Sequence, residues 1–146
     1  MQNYNYHQVQ HYSAKQIFDL VMDIEKYPEF LPWVSNVKIL SSKDNIIMAE
    51  LLVSFKGFGY SYVSEVTFRQ GGQHYYITAK ANNGPFQCLS SQWAISEIDD
   101  KTCKIDFAIK FQFKSPLLYK FIGDIFEQTA QKMLDNFAKR AESIYR

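Results

Sequence analysis

Cys103-Lys104-Ile105-Asp106-Phe107-Ala108-Ile109-Lys110-Phe111-Gln112-Phe113 alternates strictly, and Lys114-Ser115-Pro116-Leu117-Leu118-Tyr119-Lys120-Phe121-Ile122, which follows, does not. The first segment places Cys103, Ile105, Phe107, Ile109, Phe111 and Phe113 on one face. Lys104, Asp106, Ala108, Lys110, Gln112 and Lys114 fall on the other, which predicts a half-buried antiparallel strand. Beyond Ser115 the period changes. Leu118, Phe121, Ile122, Ile125, Phe126, Met133, Leu134 and Phe137 recur at three- and four-residue spacing, which predicts a helix from Pro116 to Tyr145 with one wide apolar face. Ser115 suits the N-cap, and Pro116 suits the first helical position, where a missing N–H costs nothing. Asp135 and Lys139 form an i,i+4 pair on the polar side. Gly123 costs ~1 kcal/mol relative to Ala inside a helix, and marks either a bend that admits a ligand or a frayed first turn.

Toward the N-terminus the alternation repeats. Tyr4 to Tyr12 predicts a first strand. Ser13-Ala14-Lys15-Gln16 has capping-box spacing and opens a helix from Ala14 to about Met22, striped by Ile17, Phe18, Leu20 and Val21. Pro28 and Pro32 then forbid a long helix and leave a short helical turn and a rigid crossing. Strands resume at Val37 to Leu40. Ala49, Leu51, Val53 and Phe55 alternate with polar neighbours, Leu52 excepted, and Gly57-Phe58-Gly59 makes a hairpin into Tyr60, Tyr62, Ser64, Val66 and Phe68. Gly71-Gly72 turns into Tyr75, Ile77 and Ala79, and Asn82-Asn83-Gly84-Pro85 turns into a long strand bearing Leu89, Trp93 and Ile95. Asp99-Asp100 occupies the last hairpin turn, where Asp bonds locally.

The sum is one α+β domain: a curved antiparallel sheet of about seven strands wrapped around a long C-terminal helix. Sheets curl because strands twist, and the helix buries its stripe only on the concave face. A curved sheet and a straight helix fit poorly. The space between them is filled by bulky side chains or by a ligand.

Length and composition agree with a single globular domain: 146 residues, 47% hydrophobic and 21% charged. The unusual numbers are 12 Phe, 10 Tyr and 2 Trp, because aromatics serve dense cores and pockets for flat or lipidic ligands alike. The net charge of +1 gives no global signal for DNA or RNA. Residues 101–146 nevertheless hold nine Lys/Arg against five Asp/Glu, while residues 1–100 hold seven against ten. That basic third reads as a solvated helix face, or as a surface for anionic lipid or RNA. No run approaches the ~18 apolar residues of a membrane span, and Met1-Gln2-Asn3-Tyr4 has neither signal-peptide nor transit-peptide layout. The expected location is the cytoplasm, with peripheral contact at the inner membrane. Cys88 and Cys103 fit a reducing compartment. On a hairpin turning near Asp99-Asp100, Cys103 faces about Ser96 and Cys88 lies ~27 Å further along, which excludes a bridge.

Tyr12-Ser13-Ala14-Lys15-Gln16-Ile17-Phe18-Asp19-Leu20-Val21, with Asp23-Ile24-Glu25-Lys26-Tyr27-Pro28-Glu29-Phe30-Leu31-Pro32-Trp33, forms one motif. Gly84-Pro85-Phe86 with Leu89 and Trp93 forms a second, and Phe111 to Leu117 with Met133, Phe137, Arg140 and Ala141 a third. Together they resemble the coenzyme Q-binding START-domain family, which includes the bacterial ribosome association toxin and has carried oligoketide cyclase and lipid transport labels. The match is collinear over nearly the whole chain, with Val34 where relatives often carry Cys. The resemblance implies a helix-grip fold, START/Bet v 1-like, with an apolar cavity between the sheet and the last helix. It implies a bound polyprenylated quinone such as ubiquinone, or another isoprenoid lipid, held by a carrier or chaperone that supports respiration without a catalytic cofactor. Lacking a leader, the chain is more similar to the bacterial members than to the mitochondrial ones.

On that reading the strand residues lining the cavity are Leu51, Val53, Phe55, Tyr62, Val66, Tyr75, Ile77, Leu89, Trp93, Phe107, Ile109 and Phe111. The helix contributes Leu118, Phe121, Ile122, Ile125 and Phe126, and Trp33 and Phe86, each beside a proline, mark the mouth. Singly, each residue also reads as plain core. Only the set, with the resemblance, makes a pocket. The alternative is a ribosome-directed toxin that binds the large subunit and blocks subunit association. It would use the exterior, through Lys104, Lys110, Lys114, Lys120, Lys132, Lys139 and Arg140, and its binding would weaken steeply with salt. The small basic excess favours the carrier. An enzyme is not expected. The inferred inward faces are almost wholly apolar and offer no general base, and there is no phosphate loop, nucleophile triad or HExxH. His7 and His11 lie ~13 Å apart on a strand, too far for one metal ion, and His74 stands alone beside a turn.

Overall fold

Seven strands pair antiparallel in one sheet: β1 (Gln2–Gln10), β2 (Val34–Lys43), β3 (Ile46–Phe55), β4 (Phe58–Gly71), β5 (His74–Ala81), β6 (Phe86–Asp99) and β7 (Thr102–Phe113). Their spatial order is β1-β7-β6-β5-β4-β3-β2, so the first strand crosses over to close the edge beside the last. Two helices complete the fold, α1 (Ala14–Met22) and α2 (Pro116–Ile144), with a 3-10 turn at Ile24–Glu29. This is a computed structural model, and it describes residues 1–145. β7 buries Cys103, Ile105, Phe107, Ile109, Phe111 and Phe113 and turns the residues between them outward, as strict alternation requires. α2 lies against β1, β7 and β3, while α1 covers β5, β6 and β7 and touches α2.

Local chemistry explains where the helices begin. Gln16 N–H donates to Ser13 Oγ at 3.1 Å and Ser13 N–H donates to Gln16 Oε1 at 2.9 Å, a complete capping box. Leu118 N–H donates to Ser115 Oγ at 3.1 Å, which caps α2 ahead of Pro116. At the other end of α2, Tyr145 Oη donates to the Gln16 carbonyl at 2.9 Å and latches the two helices together.

The structure departs from the sequence expectations at several points. β1 starts two residues earlier than Tyr4 and ends at Gln10, and β2 begins at Val34 rather than Val37. The β3–β4 turn is Lys56-Gly57, with Phe55 paired to Phe58, because a two-residue hairpin needs positive φ at its centre (52° and 81°). Lys56 is held there by its ammonium, which donates to the Phe121 carbonyl at 2.6 Å. Cys103 faces Glu97 rather than Ser96: the hairpin turns at Asp100-Lys101, which alone would set Ile98 opposite Cys103, and a bulge between Glu97 and Asp99 takes back one residue. Cys88 faces Gln112, and both thiols are free. α2 runs unbroken through Gly123, so the turn there is not frayed. A Cβ at Gly123 would meet the Tyr119 ring at 3.4 Å. Asp135 makes no ion pair with Lys139 among the described residues. It accepts a hydrogen bond from Gln8 Nε2 at 3.0 Å, tying α2 to β1.

Candidate functional site

α2 is held off the sheet by two aromatic clusters. Phe126 sits among Phe55, Phe86, Phe111 and Phe113 at centroid distances of 5.7, 5.5, 4.6 and 5.6 Å. Phe137 sits among Tyr27, Phe30 and Trp93 at 5.5, 5.0 and 5.1 Å. The two phenylalanines are roughly 16 Å apart along the helix. Between them α2 lines the cavity with Thr129, Ala130 and Met133. The sheet answers with small residues too, since one register row runs Val66, Ala79, Ser91, Ile109 and Ser64 lies two positions back on β4. Small against small leaves a hollow. It measures about 130 Å³ and is walled on its third side by Val21, Ile24, Tyr27, Leu31 and Val34.

Five hydroxyls reach the wall of this otherwise apolar cavity. Tyr27 Oη donates to the Val21 carbonyl, and Thr129 Oγ1 donates to the Phe126 carbonyl at 2.6 Å. Tyr62, Ser64 and Ser91 have no side-chain hydrogen-bond partner among the described residues. Burial pushes the Tyr62 phenol up to about 12. The Tyr27 phenol is also raised, first by burial and then by Tyr62 and Asp23 nearby. No carboxylate, imidazole, amine or guanidinium lines the cavity.

Tyr62 is firmly placed. Beyond the end of β5, Asn83 takes the role of a strand neighbour: its Nδ2 donates to the Val63 carbonyl at 2.9 Å and its Oδ1 accepts from Val63 N–H at 2.6 Å. Gly84, at φ 61°, comes so close to β4 that a Cβ would lie 2.2 Å from the Ser61 carbonyl oxygen. Phe86 then meets the Tyr62 ring edge-on at 5.2 Å.

Outside the cavity a wider groove runs along α2. Phe30, Pro32, Trp33, Ser54, Phe55, Lys56, Ile125, Thr129, Lys132, Lys139 and Arg140 line it. Trp33, Phe55 and Thr129 border both spaces, so the cavity and the groove adjoin there. Arg140 Nη2 donates to Glu29 Oε1 at 2.8 Å across the groove and holds the Glu29 carboxyl below its usual range.

Of the residues expected at the cavity, Leu51, Val53, Phe55, Tyr62, Val66, Ile77, Leu89, Trp93, Phe107, Ile109 and Phe126 line it, with Trp33 and Phe86. Phe86 is fully buried and belongs to the inner wall, not the mouth. Six others lie elsewhere. Tyr75 stacks on Phe18 at 4.6 Å beneath α1, and Phe111 is packed between Tyr4 and Phe126. Ile122 is buried core and Leu118 is half-buried against it, both on the closed side of Phe126. Phe121 is 41% exposed and meets Phe58 edge-on at 5.3 Å. Ile125 faces the outer groove. The sequence reading missed the wall from α1 to β2, and it missed Ser64, Ala79, Ser91, Thr129, Ala130, Met133 and Phe137. Small side chains at inward register positions were the available signal. His7, His11 and His74 are all exposed, and no cluster of three or more His, Cys, Asp or Glu that could hold a metal ion occurs among the described residues. No helix among them is long and apolar enough to cross a membrane.

A seven-stranded antiparallel sheet gripping a C-terminal helix over an apolar hollow defines the helix-grip class, START/Bet v 1-like. Within that class the chain belongs to the family described as polyketide cyclase / dehydrase and lipid transport, whose profile matches residues 11–138. It is 34% identical over 134 residues to the ribosome association toxin RatA of Pseudomonas aeruginosa, covering 92% of this chain and 91% of that protein. It is 33% identical over 138 residues to the mitochondrial coenzyme Q-binding protein COQ10 homolog B of Xenopus laevis, covering 92% of this chain and 55% of that protein. Among solved structures, the Zhui aromatase/cyclase of a Streptomyces species superposes with a TM-score of 0.87 at 14% identity, over 99% of this chain and 96% of that one. The last likeness concerns the fold alone.

Proposed function

We propose that this protein binds a polyprenylated quinone such as ubiquinone beneath α2, as a carrier or chaperone that supports respiratory electron transport. The observation that carries the reading is the apolar hollow between the Phe126 and Phe137 clusters, which adjoins the outer groove at Trp33. The likeness to a coenzyme Q-binding relative supplies the ligand class. Burial of apolar surface is worth about 25 cal/mol per Å², so even a short isoprenoid segment contributes several kcal/mol without a hydrogen bond. The cavity wall has no ionisable group suited to proton transfer, and this favours binding over cyclase chemistry. Exposed Phe58, Phe121 and Leu117 beside Lys56 and Lys120 suit brief peripheral contact with a membrane. The test is to purify the protein from cells, extract it with organic solvent and identify the bound lipid by mass spectrometry. Near-stoichiometric quinone supports the reading, and a lipid-free protein counts against it.

A second reading rests on the toxin relatives, whose lengths this chain matches almost fully. It has the exterior bind the large ribosomal subunit and block subunit association. Lys132, Lys139 and Arg140 line one groove, but Arg140 is already engaged by Glu29. Co-sedimentation with large subunits that is lost as salt rises would support this role.

A further inference from the structure

We infer that the cavity takes the ring of its ligand and not the tail: a neutral ring bearing a carbonyl, whose oxygen accepts a hydrogen bond from Tyr62 Oη with Ser64 and Ser91 beside it, while the apolar tail leaves past Trp33, Phe55 and Thr129. The inference rests on the lipid-binding reading and specifies how the lipid is held. Size comes first. An apolar cavity of about 150 Å³ takes up one benzene ring, and the hollow here is about 130 Å³, so it has room for about one ring, whose substituents must reach past the wall, and none for a long prenyl chain. Chemistry comes second. Of the five hydroxyls on the wall, Tyr27 and Thr129 are committed to backbone carbonyls, whereas those of Tyr62, Ser64 and Ser91 are unspent. Ser64 is only 6% exposed. Its hydroxyl, like those of Tyr62 and Ser91, keeps accessible surface on the cavity wall and so is free to meet a ligand oxygen.

Charge narrows the class further. With no cationic side chain on the wall, a carboxylate or phosphate head would be buried unpaired, which is strongly unfavourable. The Tyr62 phenol, pushed further up by burial, stays protonated at neutral pH, so Tyr62 acts as a donor toward a neutral acceptor. The Asn83 clamp, the close approach of Gly84 and the edge-on Phe86 ring fix Tyr62 before any ligand arrives. Fixed donors lose little freedom on binding. The outer groove beyond the mouth presents Phe30, Pro32 and Ile125 to an emerging tail.

The test compares two probes on wild-type protein and on Tyr62→Phe: ubiquinone with a single isoprene unit, and a prenylated benzene of equal tail length without carbonyls. Tyr62→Phe should weaken the quinone about fivefold to tenfold and leave the prenylated benzene unchanged. In infrared difference spectra the bound quinone's carbonyl band should lie below its position in an apolar solvent, and Tyr62→Phe should return it. Ser64→Ala should give a smaller loss of about threefold for the quinone alone. A quinone bound equally well by Tyr62→Phe, with an unshifted band, would overturn the ring-first arrangement and leave the lipid reading standing. A wild-type protein that binds neither probe would overturn both.

Discussion

The concave face is solid around Phe126 and hollow one turn further along α2. At Phe126 four aromatic rings close within 6 Å, while at Thr129, Ala130 and Met133 the sheet offers Ser64, Ala79 and Ser91. Strand geometry and helix axis are shared by both regions. The difference is side-chain size alone. The cavity is therefore a choice of residues on a common scaffold, and the two regions should respond oppositely to substitution.

The largest expected effect lies in the solid region. Phe111→Ala should cost about 3–5 kcal/mol, read as a lower urea midpoint, yet the folded fraction should still bind prenylquinone because Phe111 is off the cavity wall. A loss below 1 kcal/mol would show that the two regions are packed alike. Gly84→Ala comes next. It combines a positive φ with a Cβ 2.2 Å from the Ser61 oxygen, and should cost about 2 kcal/mol or more. Because it displaces β4 at Tyr62, quinone affinity should fall with it. In the hollow region the sign reverses. Ser64→Val fills space and removes an unpartnered hydroxyl, so the protein should gain about 1 kcal/mol, seen as a higher melting temperature, while prenylquinone affinity drops at least tenfold. A variant both less stable and still fully competent would deny that the hollow exists for a ligand.

The smallest effect belongs to the rim of the groove. Arg140 lowers the Glu29 pKa from 4.5 on folding, so this pair contributes stability above pH 4.5, and the contribution fades as pH falls through the lowered folded value. Glu29 is solvent-exposed and the gain is slight. Arg140→Ala should flatten this small acid dependence in melting curves taken from pH 5 to pH 3, with a slight loss near neutrality that vanishes at the acid end.

Much of the scaffold was legible because single periods run through it. β7 alternates without an exception, and α2 carries its own cap, proline and stripe, so both emerge as expected. The four residues from Ser13 to Gln16 likewise announced α1. Registers were less legible, because composition reveals neither the bulge at Glu97–Asp99 nor the positive φ values of the Lys56-Gly57 turn. The cavity was legible only in part. Inward-facing and cavity-facing are different properties: Phe111 and Ile109 share a face of β7, yet only Ile109 borders the hollow. Which turn of α2 stands over empty space depends on where Phe126 and Phe137 wedge the helix. That is a three-dimensional fact. Ser64, Ala79 and Ser91 read as flaws in apolar strands until the structure shows them bordering the hollow.

The two unbridged thiols have a practical consequence. Cys103 has no exposed surface, and burial, then the nearby Glu97, pushes its thiol up to about 11. At neutral pH almost none of it is thiolate, the reactive form. Cys88 is only half-buried, so an alkylating reagent should mark that position in the native protein and pass over β7. The slow modification of Cys103 then becomes a clock for the opening of the sheet itself.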